Sequence, residues 1–249
     1  MKGGLPFREG FKIGFIKLIT VALFLMLLPV AGCGPAESYE VMGNDLAYHL
    51  HLVEKKPLAE LAGENIILFA GREKNGIYSE IVLAVGEREM PVAWEIVADP
   101  FCAPELILAD LCRSGRDELV VLFLSPFAGT GYYQVHVIDP LTFMEIHVAD
   151  PLEIIRENVC VSLMPDLVIE LEGKRYSLNH ARAGSLPQNL SATDCFGSAL
   201  TYVVDNNRLK AVLPGLLPPS TLFGELVITY NCKEGALRKE SMDFILKQN

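Results

Sequence analysis

Among the 249 residues there is no Cys-x-x-Cys pair, no apolar run of membrane-spanning length, no excess of basic charge and no catalytic signature. Each absence removes a class of function. The six cysteines (Cys33, Cys102, Cys112, Cys160, Cys195 and Cys232) lack the spacing of a thioredoxin-type site or a zinc knuckle. With 21 Lys and Arg against 31 Asp and Glu, the net charge is −10. That balance argues against nucleic acid as a partner and against a polybasic lipid-surface patch. Strand and helix signals do not alternate as they would in a two-lobed solute-binding protein. Gly129-Thr130-Gly131 has neither the following helix nor the lysine of a phosphate-binding loop. Asp194-Cys195-Phe196-Gly197 holds a thiol with no base marked beside it. His49-Leu50-His51 offers two imidazoles with no third ligand evident.

What is present begins at the N-terminus. Lys2, Arg8, Lys12 and Lys17 precede the apolar segment Leu18 to Val30, which ends in small residues directly before a cysteine. That order is how a secretory signal peptide is built. The apolar stretch is about thirteen residues, against roughly 20 needed to cross the hydrocarbon core. The basic residues favour keeping the first end in the cytoplasm. Pro29 discourages further helix, and Ala31 and Gly32 let an extended backbone enter a peptidase. Val30-Ala31-Gly32-Cys33 resembles the lipobox of bacterial lipoproteins, whose cysteine is acylated and becomes the new N-terminus. The resemblance implies a signal peptide over residues 1–32, lipid attachment at Cys33, a tether over 33–45 and an extracytoplasmic domain over 46–249. The protein would then be lipid-anchored on the outer face of the cell membrane. An uncleaved N-terminal helix is the alternative anchor. Two acyl chains, at about 0.8 kcal/mol per buried CH₂, reach the regime of stable anchoring. Without residues 1–32, 217 residues remain, carrying 17 basic against 30 acidic side chains. That length suits one sizeable domain or two small ones.

Beyond the tether the pattern is β nearly throughout. Leu46, Leu50, Val53, Leu58 and Leu61 could form one face of a helix over 46–62, broken near Pro57. Short apolar or alternating runs follow at 66–70, 78–85, 92–97, 106–109, 119–124, 133–138 and 143–148, separated by turn signals such as Asn75-Gly76 and Gly86-Glu87. Asp150-Pro151-Leu152-Glu153 places a capping acid and a proline at the start of a helix that runs to about Val159. A sub-boundary near 150–160 is compatible with this. Three hairpins come next, turning at Glu172-Gly173, Asn206-Asn207 and Glu234-Gly235, with an exposed loop at Pro214 and Pro218-Pro219. Their even spacing suggests one continuous antiparallel sheet system. The expected fold is mainly β, with antiparallel hairpins in a propeller-like or sandwich arrangement. One or two short helices and the N-terminal signal helix complete it.

A weak internal repeat relates Ile66–Leu83 to Leu106–Val121 at an offset of about 38 residues, the size of a propeller blade. Its second copy, Leu108-Ala109-Asp110-Leu111-Cys112-Arg113-Ser114-Gly115-Arg116-Asp117-Glu118, resembles the calcium loop of FG-GAP-like and VCBS-type repeats. The likeness extends over about Glu105 to Tyr230. Such proteins include secreted and lipid-anchored proteins of Gram-positive bacteria. The resemblance implies a calcium site with Asp110, Ser114 and Glu118 as ligands, since alternate acids in a tight loop turn their oxygens to one side. This chain departs from the pattern at three positions. Cys112 replaces the third acid, Ser114 the fifth, and Arg113 stands where glycine is usual. A thiol is a poor ligand for a hard cation. The loop then reads as a structural relic in which Arg113 satisfies Asp110.

Setting Cys33 aside leaves five cysteines, so at least one thiol stays free; Cys102 and Cys112 could be bridged if their strands are neighbours. No catalytic residue is assigned. The expected role is a cell-envelope module that binds or scaffolds, holding a protein or glycan by a sheet face or by the loops near Gly129 and Pro218, with no nucleic-acid partner and no cofactor. A calcium-stabilised domain is the alternative. A hydrolase assembled from scattered acids such as Asp110, Asp117 and Glu118 is the third reading.

Overall fold

A computed structural model describes residues 55–127, 131–163, 166–178, 190–217 and 221–247. Cys33, the signal segment, His49, His51, Gly129 and Pro218 lie outside the described residues.

Two-residue turns build the sheets. At Glu172-Gly173 and at Asn206-Asn207 both central residues have positive φ, the mirror-image turn whose twist matches that of paired strands. Hairpins chained by such turns make meanders. The first sheet orders β1 (Lys56–Leu61), β2 (Ile66–Lys74), β3 (Ile77–Val85) and β4 (Arg88–Val92), with β5 (Ile96–Val97) also on β3. The second orders β6 (Glu105–Ala109), β7 (Glu118–Leu124), β8 (Tyr133–Ile138) and β9 (Glu145–Ile146). After helix α1 (Pro151–Asn158), a third sheet orders β10 (Val159–Leu163), β11 (Leu167–Leu171) and β12 (Lys174–Leu178). Helix α2 (Ala192–Phe196) leads into the fourth: β13 (Thr201–Val204), β14 (Leu209–Leu217), β15 (Thr221–Lys233) and β16 (Ala236–Leu246). Neighbouring strands are antiparallel throughout. The described strands form no closed barrel.

The second sheet is covered on both faces, and β7 shows how. Leu119, Val121 and Phe123 join Leu68, Ile81, Leu83 and Ile96 in a cluster with the first sheet. Val120 and Leu122 point the other way, into a cluster with Ile169, Phe196, Leu213, Ile228 and Phe244. A strand buried on both sides has no polar face to alternate with, so its sequence Leu-Val-Val-Leu-Phe is continuously apolar. The second cluster joins residues on both sides of α1, so the chain keeps one core across 150–160. α1 itself starts as expected: the Asp150 carboxylate accepts from the Leu152 N–H at 2.8 Å, with Pro151 in the first turn.

Six expectations are corrected. Lys56–Leu61 is a strand, not the end of a helix. A register shift between Pro57 and Ala59 lets Leu58 and Leu61, three apart, pack on one cluster, which mimics helical spacing. The run 92–97 is broken at Ala93-Trp94-Glu95, and in 143–148 only Glu145–Ile146 pairs as a strand. Pro214 lies within β14, opposite Glu225 and beyond the last β13 pair. There β14 is an edge, where a residue without an N–H is tolerated. The three C-terminal hairpins fall in two sheets rather than one, β11–β12 belonging to the third. Finally, Cys112 pairs with Cys232 rather than Cys102, at a Cα–Cα distance of 4.9 Å. The two segments of the internal repeat also occupy different places: β2–β3 is central in its sheet, whereas β6–β7 opens its own.

Candidate functional site

The 110–118 loop directs its carboxylates inward, to its own backbone. Asp110 accepts from the N–H groups of Ser114 at 2.7 Å and Gly115 at 2.9 Å, one to each oxygen. Glu118 Oε2 accepts from Leu111 N–H at 2.8 Å and Cys112 N–H at 3.2 Å, and the residue is 7% exposed. Ser114 Oγ faces the Arg116 carbonyl at 3.4 Å. Backbone N–H groups thus fill the place expected for the Arg113 guanidinium. Arg113 itself takes the positive φ of 52° that glycine supplies in the resembled loops. Calcium needs six to eight oxygens. Here two carboxylates already serve four N–H donors and the third position is a disulfide sulfur, so the donor set does not fit that ion. Among the described residues no three His, Cys, Asp or Glu side chains converge as a metal site. Asp110, Ser114 and Glu118 do come together, as a bracket that closes the β6–β7 connection and presents Cys112 to β15.

A cleft lies where the second and fourth sheets meet. Leu200, just before β13, bridges to Tyr132 in parallel, with Tyr133 N–H donating to the Leu200 carbonyl at 2.8 Å. At the far end β8 pairs with β9, through Val137–Ile146 and Ile138–Glu145. The chain then turns to β16: Leu237 N–H donates to His147 carbonyl and Ala149 N–H to Leu237 carbonyl. The strands are thus tied at both ends and apart between. The opening holds about 630 Å³, lined by Tyr132 to His136, Glu145 to Val148, Asp150, Pro151, Leu200 and Tyr202. This volume is in the range of small-molecule sites.

Its inner side is tyrosine-rich. Burial pushes the Tyr132, Tyr202 and Tyr230 phenols up, and the nearby Asp150 charge pushes each further. All three phenols therefore stay protonated, Arg156 offsetting part of the Asp150 effect at Tyr132. Tyr230 is committed, its hydroxyl donating to the Ala149 carbonyl at 3.0 Å. The charged side chains of the lining are Glu145 and Asp150, and Lys and Arg are missing from it.

His136 stands between this cleft and a smaller apolar cavity of about 410 Å³ beside Met90, Val92 and Trp94. Its ring stacks on Trp94 at 4.3 Å and Phe123 at 5.4 Å, and Nδ1 meets Glu145 Oε1 at 2.6 Å. Burial lowers its pKa from 6.5 and outweighs the raising effect of Glu145. The neutral ring then donates from Nδ1, leaving Nε2 buried without a partner. A buried base with a lowered pKa binds its proton more readily when unfolded, so its contribution to stability is present above pH 6.5 and is lost as pH falls below it. Thermal melts from pH 7.5 to 5 should show this loss, and His136→Phe, which keeps the stack, should flatten it. An identical slope in both proteins would refute the assignment.

Cys195 is fully buried, and burial pushes its thiol up to about 12, out of reach of nucleophilic work near neutrality. Its helix α2 carries a reciprocal cap, with Ser191 and Asp194 each bonded to the other's backbone. The cleft was not among the sites expected from sequence. Its residues come from β8, the β9–α1 segment and β13, and only the crossing between sheets brings them together. Comparison with protein-family models, with curated proteins and with solved structures finds no match.

Proposed function

We propose that this chain is a cell-envelope lipoprotein, acylated at Cys33 and held on the outer face of the membrane, where its β domain binds rather than catalyses. The observation that carries this reading is the Cys112–Cys232 disulfide. Disulfides persist in oxidising, extracytoplasmic compartments and are rare in a reducing cytosol. The crosslink therefore supports export independently of the signal-like N-terminus and the Cys33 motif. The binding surface in this reading is the cleft between the second and fourth sheets; the loops near Gly129 and Pro218 lie outside the described residues. Tyrosines suit such a site because one residue gives an apolar ring and a polar hydroxyl. An envelope protein or a glycan is the partner class. For the calcium-stabilised alternative, the N–H donors on Asp110 and Glu118 are unfavourable. For a hydrolase built on Asp110, Asp117 and Glu118, the same bonds point to structural duty for Asp110 and Glu118.

Fractionation of expressing cells tests this. The native chain should sediment with membranes, be digested by protease added outside, and contain the 112–232 crosslink. Cys33→Ala should abolish lipid labelling and release the protein from the membrane. Recovery of the native protein from the cytosol with reduced cysteines would overturn the reading.

A further inference from the structure

We infer that the cleft between β8, the β9–α1 segment and β13 receives a compact, neutral, polyhydroxylated ligand: a one- or two-ring sugar unit. This rests on the cleft being the binding site. Length is the first argument. The outer edge of β8 is taken by Leu200 at Tyr132 and by β9 at Val137 and Ile138, leaving only Gln134 to His136 between. An added peptide strand needs a longer open edge, and here both ends are closed. Charge is the second. Glu145 and Asp150 line the cleft with no Lys or Arg in the lining, Arg156 acting on Tyr132 only from outside it, so an anionic ligand would meet like charge in a partly desolvated space. Donor chemistry is the third. The Tyr132 and Tyr202 phenols, kept protonated beside Asp150, supply donors, and the carboxylates with the Gln134 carbonyl supply acceptors within a small volume, the Gln134 Nε2 being held by Ser125 Oγ at 3.0 Å. Tyrosine rings supply apolar surface for the C–H face of a sugar while their hydroxyls pair with its hydroxyl groups.

The test is calorimetric titration of the full chain in detergent. Probes are glucose, galactose, N-acetylglucosamine, cellobiose and chitobiose, with glucuronic acid as the anionic counterpart and a neutral hexapeptide. At least one neutral sugar should saturate with a Kd of about 1 mM or tighter, and glucuronic acid should bind at least roughly tenfold more weakly. Tyr202→Phe, which deletes only a hydroxyl, should weaken the sugar roughly fivefold without changing the melting temperature. Asp150→Asn, which retains the helix cap, should narrow the discrimination against glucuronic acid. Competition between free sugar and an oligosaccharide immobilised by its reducing end then separates a free ligand from a glycan terminus. Failure of every neutral sugar to saturate by about 50 mM, or tightest binding of glucuronic acid, overturns the ligand class. Hexapeptide binding that Tyr202→Phe abolishes overturns the sugar but keeps the cleft as the binding site. Sugar binding indifferent to both substitutions overturns the cleft itself.

Discussion

Replacing Cys112 and Cys232 together by alanine should destabilise the domain by about 2–5 kcal/mol, lowering its melting temperature by on the order of 10 °C. The bond closes a span of 120 residues, from the β6–β7 loop to β15. A long span confines the unfolded chain strongly, which places this bond towards the upper part of that range. It also ties the second sheet to the fourth, the two that frame the cleft. The remaining described thiols set the control: Cys102 is half-buried, Cys160 exposed and Cys195 buried, and none is bonded to another. Cys160→Ser, on the surface, should leave the melt within about 0.5 kcal/mol of the native protein. Calorimetry with and without reductant checks both. Equal melting of native and doubly substituted protein would show that the crosslink does not form.

Glu118→Ala should cost about 1–3 kcal/mol, because it leaves the half-buried Cys112 N–H without an acceptor, while the Leu111 N–H keeps the Ala109 carbonyl at 2.9 Å. Glu118→Gln separates the hydrogen bonds from the charge. Its carbonyl oxygen can accept both N–H groups, so it should be nearly neutral at pH 7. Burial raises the Glu118 pKa above 4.5, so protonation favours the fold and the contribution of this carboxyl declines as pH rises above that value. The glutamine variant should lack this dependence, which runs opposite to that of His136. Denaturant titrations of the three proteins at pH 4 and pH 7 read out both effects. A calcium site would behave differently: ligand at 100 times its Kd adds about 2.7 kcal/mol, and glutamine would remove that gain. A melt unmoved by calcium or chelator agrees with the bracket described here, and a large calcium shift would contradict it.

Much of the fold was legible because local chemistry and tertiary structure agree. Asp150-Pro151 marked α1, and Glu172-Gly173, Asn206-Asn207 and Glu234-Gly235 marked turns whose residues tolerate positive φ. Where packing overrides local pattern, legibility ended. A bulge at Pro57 gave β1 a helix-like spacing, and the edge position of Pro214 hid a strand behind a loop signal. The loop at 110–118 was visible as a motif, but its residues do not say whether carboxylates turn to an ion or to backbone N–H groups. Five cysteines beyond Cys33 leave many pairings open, and the partner of Cys112 is set by how the second sheet stacks on the fourth. The cleft was the least legible part. Tyr132, Asp150 and Tyr202 follow no spacing rule, and parallel bridges at Leu200 and Leu237 are what place them together.

The most direct measurement is the mass of the N-terminal peptide of protein purified from the membrane fraction. Cleavage before Cys33 with a thioether-linked diacylglycerol on its sulfur is the predicted result, and an unmodified peptide beginning at Met1, or a free Cys33 thiol, would contradict it.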